Sequence, residues 1–108
     1  MADTYKVLGQ SDPVVTTLTD AYTVPALTSA IISTITIANR STATSFRISI
    51  AIAGAADSNE QYIAYDVAIG ANETQTLTLG ITLGAADVVR VYATLATLSF
   101  NIFGVERA

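Results

Sequence analysis

The sequence contains no cysteine, no histidine and no tryptophan, and Lys6 is its only lysine. Without cysteine no disulfide framework can form, so the redox compartment is not indicated. Nucleophilic catalysis by serine or threonine normally requires a neighbouring base, most often a histidine, which this chain lacks. The six glycines are dispersed and form no phosphate-binding loop. We therefore expect that the protein is not an enzyme.

Charge is also scarce, because only 13% of the residues are charged and the formal net charge is −4 at pH 7. The arginines are scattered, whereas contacts to phosphates require clustered basic residues, so we expect no nucleic-acid partner. No apolar run approaches the roughly 18 residues of a membrane span, so we expect no membrane partner. The first residues lack the basic and apolar segments of a signal peptide, which indicates synthesis in a cytosol.

The acidic residues are the strongest candidates for a chemical site. The segment from Asp57 to Glu60 offers several oxygen atoms, the ligands that a hard cation such as calcium prefers. Its spacing matches no metal-binding loop, and Asp-Ser-Asn is ordinary turn chemistry. A pair of carboxylates for glycoside cleavage could be drawn from Asp57, Glu60, Asp66 and Glu73, but nothing in the sequence selects a pair. We expect no metal and no cofactor.

Hydrophobic residues make up 51% of the chain, and its mean hydropathy is +0.49. Between Ile31 and Val105 they alternate with threonine, serine or alanine, which is the period of a β-strand. Helical periodicity is not sustained anywhere. Turn signals separate eight extended segments, at residues 5–10, 14–24, 30–38, 46–53, 62–69, 74–81, 88–94 and 98–105. The pattern predicts a single all-β domain over 1–108, an antiparallel, jelly-roll-like β-sandwich of about eight strands.

Residues 1–13 allow two interpretations. They can form an ordinary edge strand, or an extended N-terminal arm that pairs with another subunit. Pro13 marks the end of this segment in either case.

The alternation also predicts which side chains face the core. We expect four inward-facing groups: Ile31, Ile35 and Ile37; Phe46, Ile48, Ile50 and Ile52; Ile63, Tyr65, Val67 and Ile69; Leu77, Leu79 and Ile81. By the same rule Tyr62 and Tyr65 have opposite parity, so one should point inward and the other outward.

A domain of this size has too little interior for all its apolar residues, which predicts a subunit interface. We select five candidate interface residues, namely Tyr5, Lys6, Arg47, Tyr62 and Arg90. An outward tyrosine can be an interface anchor or a platform on which a glycan stacks, or it can simply cover a half-buried sheet face. The two arginines can pair with Asp66 or Glu73 across strands, or they can contact a neighbouring subunit.

Several segments of the sequence resemble those of a known family. They lie at residues 5–11 (YKVLGQS), 22–25 (YTVP), 39–41 (NRS), 46–49 (FRIS), 61–66 (QYIAYD), 87–93 (DVVRVYA) and 98–106 (LSFNIFGVE). The chain resembles, over essentially its whole length, a family of small virion structural proteins encoded by tailed bacteriophages, including cyanophages. That family offers no catalytic motif to transfer.

The resemblance implies a role in the virion, with synthesis in the cytoplasm of the bacterial host. We expect a capsid decoration (cement) protein that binds the lattice of the major capsid protein, or other virion proteins, as a homo-oligomer. A trimer is the state we favour, and the capsid surface is the expected location. The alternative is a protein of the tail, baseplate or fibre, in which the same sandwich is an adaptor or binds a host glycan.

Overall fold

The computed structural model describes residues 2–108, which form nine β-strands and two single-turn 3-10 helices. The 3-10 helices, Ile52–Gly54 and Asn59–Gln61, lie in the loop between the fourth and fifth strands. No helix in this part of the chain is long and apolar enough to cross a lipid bilayer. The strands are β1 (Asp3–Ser11), β2 (Thr19–Thr23), β3 (Ser29–Asn39), β4 (Thr44–Ala51), β5 (Tyr62–Ile69), β6 (Thr74–Leu77), β7 (Ile81–Leu83), β8 (Val88–Ala93) and β9 (Leu98–Arg107).

The strands form two antiparallel sheets. The five-stranded sheet has the order β1-β9-β3-β6, with β7 also pairing with β3, and the four-stranded sheet has the order β2-β8-β4-β5. If β6 and β7 count as one interrupted strand, the chain has eight strands. They pair as β1 with β9, β2 with β8, β3 with β6 and β7, and β4 with β5. This is the strand order of a jelly roll. The prediction of an antiparallel, jelly-roll-like sandwich is confirmed.

The core lies between the sheets and is built almost entirely from aliphatic side chains. Phe46 of β4 and Phe100 of β9 meet across it in an edge-to-face contact, with ring centroids 6.1 Å apart. Val24, directly after β2, is also fully buried, and the other large buried residues come from both sheets: Ile32, Ile35, Ile37, Ile48, Ile69, Val89, Val91, Leu98 and Ile102. Burial of these side chains is the main driving force for the fold.

Five of the expected inward positions are wrong, and three of them, Leu79, Ile31 and Ile52, are wrong because the strands do not continue regularly through them. The strand predicted at 74–81 is interrupted over residues 78–80, where Gly80 has a left-handed φ of +63° and Leu79 beside it is exposed. Leu77 and Ile81, on either side, pack against the core as predicted. In β3 the register shifts by one residue between Ile32 and Thr34. The shift buries Ile32 instead of Ile31, while Ile35 and Ile37 stay in the core.

Ile52, the third of these positions, is exposed because β4 ends one residue earlier, at Ala51. The chain there turns into the first 3-10 helix, with Ala53 at a positive φ of 53°. The other expected core residues of this strand, Phe46 and Ile48, are buried, and Ile50 packs against the core.

The fifth strand departs twice from simple alternation. Its register against β4 shifts on either side of Ala64, and Asp66 has a positive φ of 51°. Each shift changes the side of the sheet on which the following residues lie. As a result Val67 and Ile69 face the core as predicted, whereas Ile63 and Tyr65 are exposed and their prediction is wrong.

The first strand pairs along its whole length with β9 of the same chain, and it forms the edge of the five-stranded sheet. Its first five residues are exposed, while Gly9, farther along, approaches Ala21 of β2. Residues 3–11 are therefore an edge strand. Met1, which belongs to the predicted 1–13 segment and to the predicted 1–108 domain, lies outside the described residues.

Candidate interaction surfaces

All five lysine and arginine side chains in the described part of the chain form ion pairs with carboxylates. Two pairs lie on the strands of each sheet, so that both sheets are electrically balanced. The fifth pair joins two loops. The nitrogen–oxygen distances are 2.9 Å for Lys6–Glu106, 2.8 Å for Arg40–Asp12, 2.6 Å for Arg47–Asp66, 3.0 Å for Arg90–Asp20 and 2.7 Å for Arg107–Asp3.

The four remaining carboxylates lie between the strands, in turns or in the second 3-10 helix, and they account for the net charge. Asp87 accepts hydrogen bonds from the backbone N–H groups of Gly84 and Ala53, at 2.8 and 2.9 Å. Asp57 accepts one from the hydroxyl of Tyr62 at 3.1 Å. The other two are Glu73, which caps the turn at Gly70, and Glu60, whose pKa is lowered by a hydrogen bond from Ser58. Among residues 2–108 no three histidine, cysteine, aspartate or glutamate side chains come together as a metal-binding group.

The outer face of the four-stranded sheet carries a cluster of aromatic and charged side chains. Arg47 of β4 lies between two tyrosine rings, with its guanidinium carbon 4.1 Å from the ring centre of Tyr65 and 4.4 Å from that of Tyr92. The rings of Tyr62 and Tyr65 meet edge to face, with their centroids 5.0 Å apart. We call this surface the tyrosine–arginine patch, which consists of Arg47, Tyr62, Tyr65, Asp66 and Tyr92.

Strand pairing and one bulge assemble this patch. Arg47 and Tyr92 are directly opposite each other on β4 and β8, so their side chains share a face. The bulge at Asp66 turns Tyr65 to the same face. The Asp66 carboxylate then accepts a hydrogen bond from Arg47 Nε at 2.6 Å, and this bond raises the pKa of Arg47. Tyr65 remains 56% exposed, so its ring is available to a partner.

Tyr62 is held in place at the border of the patch. Burial, followed by the hydrogen bond to Asp57, raises the pKa of its hydroxyl above the ordinary value of 10.0. The Tyr62 hydroxyl donates to Asp57, and this bond favours the protonated phenol. The expectation that Tyr62 and Tyr65 point to opposite sides is wrong, because the two register shifts in β5 bring both rings to the outer face.

Arg90 lies on the same face, but its guanidinium forms hydrogen bonds with other residues of the same chain. Its side chain is only 14% exposed. It donates to the backbone oxygens of Ala55 and Gly54 at 2.7 and 3.3 Å, and to Asp20 at 3.0 Å. These bonds hold the loop that contains the two 3-10 helices against the sheet.

The outer face of the five-stranded sheet carries a second, apolar surface. Tyr5, Val105 and Ile31 form one row across three adjacent strands, and Val7 and Phe103 pair in the next row. We call these five residues the apolar patch. Tyr5 is 79% exposed and Ile31 51% exposed. A groove of about 230 Å³ runs between the side chains of the first row, with the Asp3–Arg107 ion pair at its end.

Lys6 is next to this patch in sequence but takes part in a different interaction. It pairs with Glu106, which also accepts a hydrogen bond of 2.6 Å from the hydroxyl of Tyr22. Tyr22 itself belongs to the core. Both interactions lower the pKa of Glu106, and the hydrogen bond from Tyr22 has the larger effect.

The five candidate residues chosen from the sequence thus fall in different places. Tyr5 lies in the apolar patch, Arg47 and Tyr62 lie in the tyrosine–arginine patch, and Lys6 and Arg90 form ion pairs that join parts of the chain. The other seven members of the two patches were not selected from the sequence; they are Val7, Ile31, Tyr65, Asp66, Tyr92, Phe103 and Val105. Two of these are displaced by bulges, which the alternating pattern does not reveal.

Comparison of the sequence with known proteins identifies no relative of this chain. No family model matches the chain, and no curated protein is significantly similar to it. The function is therefore inferred from the two patches and from the resemblance noted in the sequence.

Proposed function

We propose that this chain is a structural protein of a tailed-bacteriophage virion, and that it is a capsid decoration protein. It binds the lattice of the major capsid protein as a homo-oligomer, and its function is contact rather than catalysis. The sequence resemblance supports the virion as its location. The geometry supports the contact role, because both broad faces of the sandwich expose side chains that suit protein interfaces.

The tyrosine–arginine patch is the observation that carries this proposal. Tyrosine and arginine are the residues, with tryptophan, that most often dominate the energy of protein interfaces. Here Arg47 is already fixed between two rings and by Asp66, so it loses little conformational freedom on binding. The patch is therefore a preorganised surface, and we assign it the contact with the capsid lattice.

Decoration would stabilise the capsid by adding buried surface between neighbouring capsomers. A contact of ordinary size buries about 800 Å² on each partner. The proposed protein would supply such contacts on the outside of the shell after it is made in the cytoplasm of the host. The one carboxylate within the patch, Asp66, is paired with Arg47, and Asp57 lies at the border of the patch, where it accepts the hydrogen bond from Tyr62.

Binding to capsids that lack the protein tests this assignment directly. We expect the purified chain to cosediment with such capsids, and Tyr65→Ala to reduce its affinity by about tenfold or more, as for an interface hot spot. Val14→Ala is the matched control, because Val14 is 65% exposed and lies outside both patches. Gel densitometry of virions should give hundreds of copies. A few copies per virion, or binding that Tyr65→Ala leaves unchanged, would contradict the proposal.

The alternative, a tail, baseplate or fibre protein that binds a host glycan, is favoured by the same tyrosine cluster. Sugar rings stack on exposed aromatic rings, and Asp66 and Arg47 could hydrogen bond to hydroxyl groups beside Tyr65. A glycan array distinguishes the two functions. Binding of a defined glycan that is lost in Tyr65→Ala, together with a copy number of some dozens or fewer, would favour the alternative.

A further inference from the structure

The apolar patch lies on a sheet whose charges cancel. The strands of the five-stranded sheet contain four charged residues, which are Asp3, Lys6, Glu106 and Arg107, and these form two ion pairs. Within residues 2–108 the four acids without a basic partner lie in the connections between strands. Two copies of an acidic protein can therefore approach each other through this face without repulsion between uncompensated charges on its strands.

The patch is also continuous and well exposed. Its five side chains lie on three adjacent strands, and Tyr5, Val7 and Ile31 are all about half exposed or more. Contiguous exposed apolar surfaces of this kind mark association sites on soluble proteins. The faces of two sheets pack well at a separation of about 10 Å, as they do within a sandwich.

We propose that the apolar patch is a two-fold interface between two copies of this chain. An interface of this symmetry must be self-complementary, because the same surface is used by both copies. The apolar rows meet each other, and the border of the patch carries one acid and one base. Asp3 of one copy can therefore pair with Arg107 of the other, and the reverse, in addition to or in exchange for the pair within each chain.

The geometry favours a dimer over the trimer that we expected from the sequence. A closed ring of three needs two different surfaces that contact each other on neighbouring copies. The two patches lie on the outer faces of opposite sheets, so contacts between unlike patches would build an open stack. A dimer through the apolar patch closes and leaves one tyrosine–arginine patch on each outer side. This inference specifies the oligomer of the proposed function, but it does not depend on the virion.

Light scattering on the purified chain gives the first test. We expect a mass of twice 11.3 kDa at micromolar concentration. Ile31→Lys places an unpaired charge in the interface and should raise the dimer dissociation constant more than about tenfold. Ile63→Lys is the matched control, because Ile63 is 42% exposed on a strand of the other sheet and should leave the dimer intact. A monomeric or trimeric mass for the unmodified chain, or equal dissociation of both variants, would overturn the inference.

Charge exchange across the two-fold axis gives the second test. Asp3→Arg alone and Arg107→Asp alone each place like charges at both borders of the interface, so each variant should dissociate. A mixture of the two variants restores both complementary pairs between the chains and should recover the dimer mass. If the ion pair acts only within a chain, mixing recovers nothing, and the inference fails.

Capsid cosedimentation separates this inference from the proposed function. A chain that is monomeric in solution but binds capsids would overturn the two-fold interface and support decoration. A chain that is dimeric but does not bind capsids would support the interface and overturn decoration.

Discussion

At the scale of single residues, close packing between backbones limits substitution more than any reactive group does. A Cβ atom added at Gly104 would lie 2.1 Å from the backbone oxygen of Ile31, and one at Gly9 would lie 2.3 Å from that of Ala21. Both glycines lie where two strands approach each other unusually closely. Gly104 faces the bulge in β3 that turns Ile31 outward, so it contributes to the shape of the apolar patch.

Gly104→Ala should therefore destabilise the protein by about 1–3 kcal/mol, or more if the strands cannot separate, because the new methyl group overlaps backbone atoms. Gly84→Ala is a suitable control. The nearest atom to its added Cβ is 3.7 Å away, and its change should stay within about 0.5 kcal/mol. Urea denaturation measures both values, and equal losses of stability would contradict the explanation.

Glu106 predicts a dependence of stability on pH. Its pKa in the folded protein is lowered from 4.5 by the hydrogen bonds from Tyr22 and Lys6. Proton binding therefore favours the unfolded chain, so this contribution is complete above about pH 4.5 and is lost as the pH falls through the folded-state pKa. We expect Glu106→Gln to lower the melting temperature at neutral pH and to approach the unmodified chain in acid. Parallel melting curves across the whole range would contradict this assignment.

Tyr22→Phe isolates the larger of these two interactions. The ring remains in the core, whereas the 2.6 Å hydrogen bond to Glu106 is lost. We expect a loss of about 1 kcal/mol at neutral pH and a smaller one in acid. Calorimetry at neutral and acidic pH measures the difference.

At the scale of strands, the regular alternation of the sequence was sufficient to predict the fold class and most strands. It predicts Phe46, Ile48, Ile35 and Ile37 in the core correctly, because β4 pairs with β8, and β3 pairs with β9 from Thr34 onward, without a register shift. The alternating pattern does not reveal bulges. At a bulge one strand has an extra residue relative to its partner, and the side chains that follow it lie on the other face of the sheet. Ile31 and Tyr65, which belong to the two patches, were misassigned for this reason. The interaction surfaces were thus harder to predict than the core.

The bulge at Asp66 is testable by comparing three substitutions. Asparagine tolerates a positive φ, so Asp66→Asn tests mainly the exposed ion pair with Arg47 and should cost less than about 1 kcal/mol. In Asp66→Ala the alanine must also adopt the positive φ, so the free energy of unfolding should fall by about 1–2 kcal/mol more than in Asp66→Asn. Asp66→Gly removes the carboxylate without that strain, so its stability should exceed that of the alanine variant. Denaturation curves in which alanine equals glycine would contradict the role of the backbone.

At the scale of the whole molecule, the two sheets have different surfaces and should have different roles. The five-stranded sheet exposes apolar side chains, and the four-stranded sheet exposes tyrosines around a paired arginine. The sandwich separates these surfaces by its own thickness, so one can bind without blocking the other. In the proposed dimer the two tyrosine–arginine patches face in opposite directions, which suits a bridge between two capsomers.

Bridging predicts that binding to the capsid and stabilising it are separable. If the proposed dimer contacts two capsomers, it should raise the temperature at which capsids release DNA. Ile31→Lys retains the tyrosine–arginine patch, so it should still bind, but a single chain cannot link two capsomers and should leave the release temperature nearly unchanged. Tyr65→Ala should still dimerise, because its apolar patch is intact, but it should bind capsids at least about tenfold more weakly. Dye-detected DNA release, measured at equal capsid occupancy, tests this. Full stabilisation by the monomeric variant would show that bridging by the dimer is not the mechanism.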